Sequence, residues 1–430
     1  MDRLEEEMID FEYITAKDFD RAWLNFELDL PLKPGKDGKD NPFYINRPGN
    51  PIAELEDALL SPFYQPPKFF FSGHRGCGKS TELLHLMSNP DIQSKFWTIN
   101  FSIRDEADII DLDFRDILLS IGGRMFREYK KNGGKLPEQL LKELNTWRGK
   151  LEEEIKTIKG MPVALELEGG IEAFFVQTGL KMKMEPKTRK EIRQVFERDI
   201  TGLIAVINNI AMAIYGKEKR IPLILIDDLD KPELQKAREI FHDHREIMMQ
   251  PNCAIVYTVS SALFYNKNFD SIRDRAIFLP NIELHPRLKP NVNNDQGYKT
   301  MKNFITQRMA PELIEPSAIN QAITYSGGVF RELARIMRTA IGQARRRKTI
   351  RIEMEDVEYA ATEMRNEYRR ILEKEDIAIL KKVQVTNQLE YSERLTPLLQ
   401  LLAMLEYRNG ENWCDVHPVL RKILNNDGSL

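Results

Sequence analysis

Apolar residues in the first two thirds of the chain fall into short dense runs separated by stretches with helical spacing. The runs at 69–71, 96–101, 221–226, 254–259 and 277–279 are rich in aromatic or β-branched residues, which predicts buried strands. Amphipathic helices are expected between them, notably over 114–130 and 190–215. Strands that alternate with helices predict an α/β fold with a parallel sheet flanked by helices.

The regular alternation breaks between about residues 131 and 189. A charged helix over 138–156 is followed by alternating residues that continue, through Gly169 and Gly170, to Met184. Alternation on both sides of a glycine pair favours an inserted β-hairpin on a helical stalk. A plain surface elaboration and a functional insertion explain this segment equally well.

The last third of the chain has a mainly helical pattern. Gly327 and Gly328 precede one amphipathic helix, and Asn409-Gly410 lies between two apolar runs, which is a strong hairpin signal. The predicted organisation is an N-terminal helix and linker at 1–50, an α/β core at 51–289, a helical domain at 290–372 and a C-terminal domain at 373–430.

Composition narrows the class of protein. The chain has 430 residues, of which 30% are charged, and a net charge of −3. We identify no membrane-spanning run or leader sequence, and three widely separated cysteines suggest neither a disulfide framework nor a metal site. These features predict a cytoplasmic protein of several domains without a membrane partner. The charge provides no global attraction to nucleic acid.

A glycine-rich sequence after the first strand carries the clearest chemistry. Gly73-His74-Arg75-Gly76-Cys77-Gly78-Lys79-Ser80-Thr81 fits the phosphate-binding pattern G-x-x-x-x-G-K-[ST], and a helical stretch follows it. Backbone N–H groups and a helix N-terminus can hold a polyphosphate there, with Lys79 on the β- and γ-phosphates. Ser80 is the expected Mg²⁺ ligand, and Thr81 is a weaker alternative. ATP and Mg²⁺ are the expected cofactors.

A second group of polar residues follows the strand at 221–226. Asp227 comes first and is placed to hold Mg²⁺, whereas Asp228 is placed to polarise the water that attacks the γ-phosphate. Ligands of open α/β sheets bind at the carboxyl ends of the strands, where these acids are expected. Together with the glycine-rich loop they predict an ATPase.

This order of parts resembles the AAA+ and STAND classes of P-loop ATPases, particularly origin-recognition and replication-initiator ATPases. The resemblance implies a polar sensor at Ser260 or Thr258, and a second sensor at Arg331 in Gly328-Val329-Phe330-Arg331. It also implies a helical lid at 290–372 and a C-terminal winged helix at 373–430. In oligomeric relatives an arginine finger comes from a neighbouring subunit, and Arg273 or Arg275 occupies the corresponding interval.

Two functions are compatible with this resemblance. The first is a slow ATP-hydrolysing switch of the STAND kind that controls a partner protein or effector and belongs to a bacterial conflict or antiviral defence system. The alternative is a DNA-binding AAA+ ATPase of the initiator or loader kind, with Arg335, Arg338 and residues 345–348 as the basic surface. A homo-oligomer is expected for either function.

Cys77 lies inside the phosphate-binding pattern, between Gly76 and Gly78. If its thiol faces the phosphate site, the surrounding N–H groups and Lys79 favour the thiolate, and Cys77 is then the most reactive cysteine of the chain. If the thiol points into the sheet, it is inert. The sequence leaves both orientations open.

Overall fold

The computed structural model describes residues 11–30, 32–33, 41–159, 170–265, 269–388 and 394–425. Contacts divide the chain into two compact units. The sheet unit comprises Glu54–Ser72 and Leu86–Ile277, and the lid unit comprises Met1–Ala53, Gly73–His85 and Phe278–Leu430. Each unit combines segments that are distant along the chain, so this division does not test the domain boundaries predicted at 50, 289 and 372, which stay a prediction.

A five-stranded sheet organises the sheet unit, with the order β2-β3-β4-β1-β5. Its strands are β1 Lys68–Gly73, β2 Phe96–Ser102, β3 Ile221–Asp227, β4 Ala254–Ser260 and β5 Ala276–Phe278. β3 pairs in parallel with both β2 and β4, and Ser102 lies opposite Asp227 in the first of these pairs. The α/β sheet expected from the apolar runs is confirmed.

β3 and β4 are buried along almost their whole length, which explains their unbroken apolar sequence. Helices cover the sheet, and their buried side chains join the strands in one core that contains Phe70, Ile226 and Tyr257. The described helices of this unit with eight or more residues are Ala53–Leu60, Lys79–Ser88, Phe114–Lys131, Glu138–Lys159, Gly170–Met184, Pro186–Arg198 and Ile200–Glu218, of which the first two extend into the lid unit at one end.

The predicted β-hairpin in the insertion is wrong where the structure describes it, since Gly170–Met184 is a helix. Its buried residues are Ile171, Phe174, Phe175, Thr178 and Met182, and their spacing of three and four positions places them on one face. Residues 163–168, the first half of the predicted hairpin, lie outside the described residues. The error came from reading a helical period as strand alternation.

The helix expected over 190–215 is instead two helices, Pro186–Arg198 and Ile200–Glu218, which meet at Asp199. Among the described residues, Ile200–Glu218 is the one helix long and apolar enough to meet the length and composition criteria for a membrane span. Seven of its residues, including Leu203, Ile207 and Ile214, are buried in the sheet unit. It therefore has the packing of a core helix.

The lid unit is helical except for a C-terminal hairpin. Its described helices with ten or more residues that lie wholly within it are Asp295–Arg308, Pro316–Ser326, Phe330–Arg347, Met354–Ile371 and Lys374–Thr386. The hairpin consists of β6 Met404–Asn409 and β7 Glu411–Val416, with Gly410 at φ +74° between them. The hairpin predicted from Asn409-Gly410 is confirmed, and so is the mainly helical character of the segment at 290–372.

Gly327 and Gly328 shape the start of the helix Phe330–Arg347, which we call the lid helix. Both have positive φ, and a Cβ atom on Gly328 would lie 1.8 Å from the carbonyl oxygen of Ile282. A Cβ atom on Gly327 would lie 2.3 Å from Cδ1 of Leu405 in β6. The two glycines therefore allow the hairpin and the chain at Ile282 to approach the lid helix closely.

Candidate functional site

The phosphate-binding pattern forms a loop between β1 and the helix Lys79–Ser88. Gly76 and Gly78 have φ of +80° and +108°, values that side chains with a Cβ atom disfavour. Gly73 is confined by its neighbours, since a Cβ atom there would lie 2.7 Å from the carbonyl oxygen of Leu279. Glycine is therefore required in this loop for two reasons: the positive φ of Gly76 and Gly78, and the lack of space for a side chain at Gly73.

Lys79 begins the helix that follows the loop, and it is buried. Its Nζ atom donates hydrogen bonds of 2.9 Å to the carbonyl oxygens of both Gly73 and His74. The ammonium group is thus held inside the curve of the loop. Ser80, in the first turn of the helix, is exposed, as is Arg75 at the tip of the loop, whereas Thr81 is partly buried.

Arg331 of the lid helix lies directly against this loop. Its backbone N–H donates a 3.2 Å hydrogen bond to the carbonyl oxygen of Gly76, and its Cβ atom lies 2.4 Å from where a Cβ atom on Gly76 would be. The guanidinium group forms a 2.8 Å ion pair with Asp29. The Gly-x-x-Arg pattern therefore places Arg331 where the resemblance implies a sensor, and that role stays a prediction.

His74 connects the loop to the C-terminal hairpin. Its Nε2 atom accepts a 2.8 Å hydrogen bond from the backbone N–H of Glu406 in β6, and the imidazole is buried. Burial, reinforced by the positive charge of Lys79 and opposed by a hydrogen bond to the backbone of Leu399, lowers the pKa of His74 to about 3. The ring is neutral at physiological pH, so it can accept this hydrogen bond.

Residues before the sheet also reach the helix Lys79–Ser88. Tyr44 donates a 3.1 Å hydrogen bond to Glu82 and stacks on His85 with 4.3 Å between the ring centroids. Arg47 donates a 2.9 Å hydrogen bond to the carbonyl oxygen of Pro280. The segment at 1–50 is predicted only as a helix and linker, because nothing local to Tyr44 or Arg47 indicates their distant partners.

Cys77 is fully buried within the loop. Its Sγ atom lies 2.9 Å from the position that a Cβ atom on Gly73 would occupy, so the thiol is directed back toward the end of β1. Of the two orientations left open by the sequence, the structure has the inert one. Cys77 contributes its backbone to the loop.

The carboxylates of the predicted site lie at the end of β3 in the sheet unit. Asp227 is the last residue of β3, and Asp228 follows at φ +64°, an unusual conformation for a residue with a side chain. The Oδ1 atom of Asp227 accepts a 2.8 Å hydrogen bond from the N–H of Asp228. The left-handed backbone conformation of Asp228 therefore ends the strand directly after Asp227.

Ser102 holds the side chain of Asp228. Its hydroxyl, at the end of β2, donates a 2.6 Å hydrogen bond to Oδ2 of Asp228, and Nζ of Lys231 lies 3.6 Å from Oδ1. Sequence reasoning assigns no role to Ser102. The available signal is its place directly after the strand predicted at 96–101 and two positions before the polar segment Arg104-Asp105-Glu106.

Thr258 and Ser260, the alternatives for the polar sensor, have different surroundings. Thr258 is fully buried; its hydroxyl donates to the carbonyl oxygen of Ile226 at 3.1 Å and accepts from the N–H of Leu229 at 3.2 Å. Ser260 ends β4 and is partly exposed. The geometry gives Thr258 a structural part in shaping the turn after β3, which leaves Ser260 as the better candidate sensor.

Arg273 and Arg275 precede β5. Arg273 is exposed, and Arg275 is partly buried, with its carbonyl oxygen accepting a 2.9 Å hydrogen bond from the N–H of Phe70 near the start of β1. Pro67 pairs similarly with Ile255 at the start of β4. Arg275 therefore lies at the opposite end of the sheet from Asp227, and neither arginine is brought to the carboxylates of its own chain.

The residues of the loop fit a nucleotide polyphosphate. Its glycines leave the inner curve free of side chains, Lys79 points into that curve, and Ser80 presents a hydroxyl at the start of the helix. No group of three or more metal-ligating side chains occurs among the described residues. At this loop, Ser80, water and the phosphates themselves could hold a bound Mg²⁺, an ion that usually keeps several waters.

No protein-family model and no curated protein sequence matches the chain. Similar solved structures include Cdc6p from Pyrobaculum aerophilum, at 11% identity and a TM-score of 0.42, covering 96% of this chain and 99% of that one. Another is ORC1 of Aeropyrum pernix in complex with DNA, at 14% identity and a TM-score of 0.42, with coverage of 97% and 98%.

A third similar structure is the RuvB Holliday junction branch migration motor of Thermotoga maritima. It has 12% identity and a TM-score of 0.35, with 90% of this chain and 96% of that chain covered.

Proposed function

We propose that this chain is a P-loop ATPase of the AAA+ type that binds ATP with Mg²⁺ and hydrolyses it. The observation that carries the proposal is the phosphate-sized loop at 73–80, with Lys79 held in its curve and Arg331 of the lid helix bonded to its backbone. This loop offers N–H groups, a cation and a hydroxyl in the arrangement that polyphosphate binding requires.

The side chains have distinct roles in this proposal. Lys79 contacts the β- and γ-phosphates, and Ser80 and Asp227 hold Mg²⁺, which neutralises charge on the phosphate oxygens. Asp228, oriented by Ser102, accepts a hydrogen bond from the attacking water, and Ser260 assists in orienting that water. Arg331 responds to the γ-phosphate from the lid.

Paired variants test these assignments. Lys79→Ala should abolish ATP binding, because it removes the phosphate contact, whereas Asp228→Asn should retain binding and lose hydrolysis. Calorimetry with ATP and Mg²⁺ measures the first property, and phosphate release measures the second. An equal loss of ATP affinity in both variants would contradict the role of Asp228, and normal ATP affinity in Lys79→Ala would contradict the site itself.

The finer function has two candidates. The first is a DNA-binding ATPase of the initiator or loader kind, and one of the similar solved structures is a complex with DNA. The second is an effector-controlling switch, and the ion pairs of the lid helix support it. Arg335 pairs with Glu367, Arg338 with Glu27 and Arg345 with Asp20. Arginines neutralised within the chain are less available to phosphates of DNA.

DNA dependence separates these candidates. An initiator-type ATPase should show turnover stimulated by double-stranded DNA, with binding that weakens steeply between about 50 and 200 mM salt. A protein-directed switch should show neither effect. Arg338→Ala, combined with Glu27→Ala, removes the ion pair and its arginine, so a DNA affinity that survives in this double variant would argue against the lid helix as the DNA surface.

Self-assembly is the remaining part of the proposal. If Arg273 or Arg275 acts on the nucleotide of a neighbouring subunit, ATP with Mg²⁺ should promote assembly that light scattering can detect. The Arg273→Ala and Arg275→Ala variants should then reduce turnover without changing ATP affinity. A monomer in every nucleotide state, with unchanged turnover in both variants, would remove the arginine finger from the proposal.

A further inference from the structure

A cationic cavity lies in the sheet unit, at the start of β1. It measures about 440 Å³ and opens to solvent, and its walls include Pro67 and Lys68 from the entry to β1, Arg245 and Met249 from the segment before β4, and Arg275 from the turn before β5. Its volume is within the range of cavities that hold small ligands. Of these residues only Arg275 has a candidate role in the proposed ATPase, as an arginine finger toward the nucleotide of a neighbouring subunit.

Three cations contribute to the cavity, from Lys68, Arg245 and Arg275. Among the described lining residues, Glu246 is the only acid, and it is exposed. Cys253 next to Lys68 adds no negative charge, since burial raises the pKa of its thiol to about 12. Three positive charges and one negative charge leave a formal excess of two positive charges at the cavity.

The cations of this cavity have weak partners within the protein. Nζ of Lys68 donates to the carbonyl oxygen of Pro66 at 2.9 Å, and Nη1 of Arg275 lies 3.7 Å from the thioether sulfur of Met249, a poor acceptor. Nε of Arg245 is buried and has no hydrogen-bond partner among the described residues. None of the three cations forms an ion pair among the described residues, so their charge favours an anion in the cavity.

We propose that this cavity binds a small phosphate-bearing ligand, distinct from the nucleotide at the loop. Two guanidinium groups and an ammonium group supply the planar and point-charge donors that phosphate oxygens accept. A phosphate monoester is close to a dianion at neutral pH, which matches the charge excess of the lining. The site joins the start of β1 to the segment before β4, so an occupant would connect these elements.

Phosphate titration of the full chain, with the loop saturated by ADP and Mg²⁺, tests this proposal. The probe is inorganic phosphate, and calorimetry measures its binding affinity. Arg245→Gln and Arg275→Gln should each weaken phosphate binding by about tenfold or more, because each removes charge-assisted hydrogen bonds. The matched control is Arg238→Gln, an exposed arginine of the same unit outside the cavity, which should bind phosphate as the wild type does.

Chemical protection provides a measurement that needs no variant. Phenylglyoxal modifies arginines, and mass spectrometry of the ADP-saturated wild-type chain should show Arg245 and Arg275 protected by phosphate while Arg238 is not. Phosphate affinity that is the same in all three variants, or modification of Arg245 and Arg275 that phosphate does not slow, would overturn the proposal. Either result leaves ATP binding at the loop unaffected, so this site is tested separately from the proposed ATPase.

Discussion

The imidazole of His74, inside the phosphate-binding loop, accepts a hydrogen bond from the backbone of Glu406 in the C-terminal hairpin, at 2.8 Å. The carbonyl oxygen of the same histidine accepts a hydrogen bond from Lys79. One residue therefore contacts both the lysine expected to bind phosphate and the C-terminal hairpin. If ATP draws Lys79 toward its phosphates, the geometry of His74 changes, and β6 is the next element to respond.

We expect acid to destabilise the folded protein through His74. The pKa of His74 is about 3 in the folded protein and that of an unfolded histidine is about 6.5. Below pH 6.5 the unfolded chain takes up a proton that the folded chain does not, so stability falls as the pH drops toward 3. The slope for one histidine approaches about 1.4 kcal/mol per pH unit. Histidine NMR of the folded protein should show that the His74 ring does not titrate above pH 4.5.

His74→Gln provides the comparison for this expectation. Glutamine keeps a hydrogen-bond acceptor but lacks the titrating ring, so urea unfolding of the variant should depend less steeply on pH between 6 and 4.5. His417 is also buried, with a pKa of about 3, and serves as an internal second case. An unchanged pH slope in His74→Gln, or a His74 resonance that titrates near pH 6.5, would show that the ring is accessible to protons.

Ser102 is expected to matter for turnover and not for binding. Ser102→Ala removes the 2.6 Å hydrogen bond that fixes Asp228, so its carboxylate can rotate away from the attacking water. We expect turnover to fall by about tenfold with ATP affinity unchanged. Ser94→Ala, which alters an exposed serine in the same unit, should change neither quantity. Wild-type turnover in Ser102→Ala would mean that Asp228 is positioned by other contacts.

The sequence identified the parts of this site that are encoded locally. A glycine pattern between a strand and a helix is contained in nine consecutive residues, Gly73–Thr81, and the acids follow directly after an apolar run. Ser102 escaped notice because its partner Asp228 is 126 positions away. Only the parallel register of β2 and β3, which no local pattern specifies, brings the two together.

Fold prediction failed where two periodicities compete. The C-terminal hairpin was predictable because Asn409-Gly410 allows little besides a tight turn. In Gly170–Met184 the apolar residues are so frequent that parts of the segment also fit strand alternation. The segment is a helix in the structure, where Phe174 and Phe175 are buried. The closure of the lid helix onto Gly76 was suggested only through the family resemblance.

The cysteines are expected to be unreactive in the native protein. Cys77, Cys253 and Cys414 form no disulfide, and all three are fully buried. Alkylation should therefore label all of them slowly until a denaturant is added, and ATP should have little influence on the rate at Cys77. Mass-spectrometric mapping of labelled peptides measures this. Rapid labelling of Cys77 that ATP suppresses would instead place the thiol on the phosphate side of the loop.

The contact between Gly76 and Arg331 gives the sharpest test of the site, because the chain contains a second glycine, Gly133, with nearly the same φ and open surroundings. Gly76 has φ +80° and Gly133 has φ +79°, so alanine at either position incurs a similar backbone penalty of about 1 kcal/mol. At Gly133 an added Cβ atom meets nothing within 4 Å, whereas at Gly76 it would lie 2.4 Å from Cβ of Arg331.

Gly76→Ala should therefore displace either the loop or the start of the lid helix, and Gly133→Ala should displace neither. We expect ATP affinity to fall by at least about tenfold in Gly76→Ala, since the loop can no longer keep its curve while Arg331 stays bonded to it. ATP affinity in Gly133→Ala should equal that of the wild type, with only a small loss of stability. Calorimetry with ATP and thermal unfolding measure both quantities. Equal ATP affinities in the two variants would show that the loop adapts to a side chain at position 76, and that the approach of Arg331 is not part of the nucleotide site.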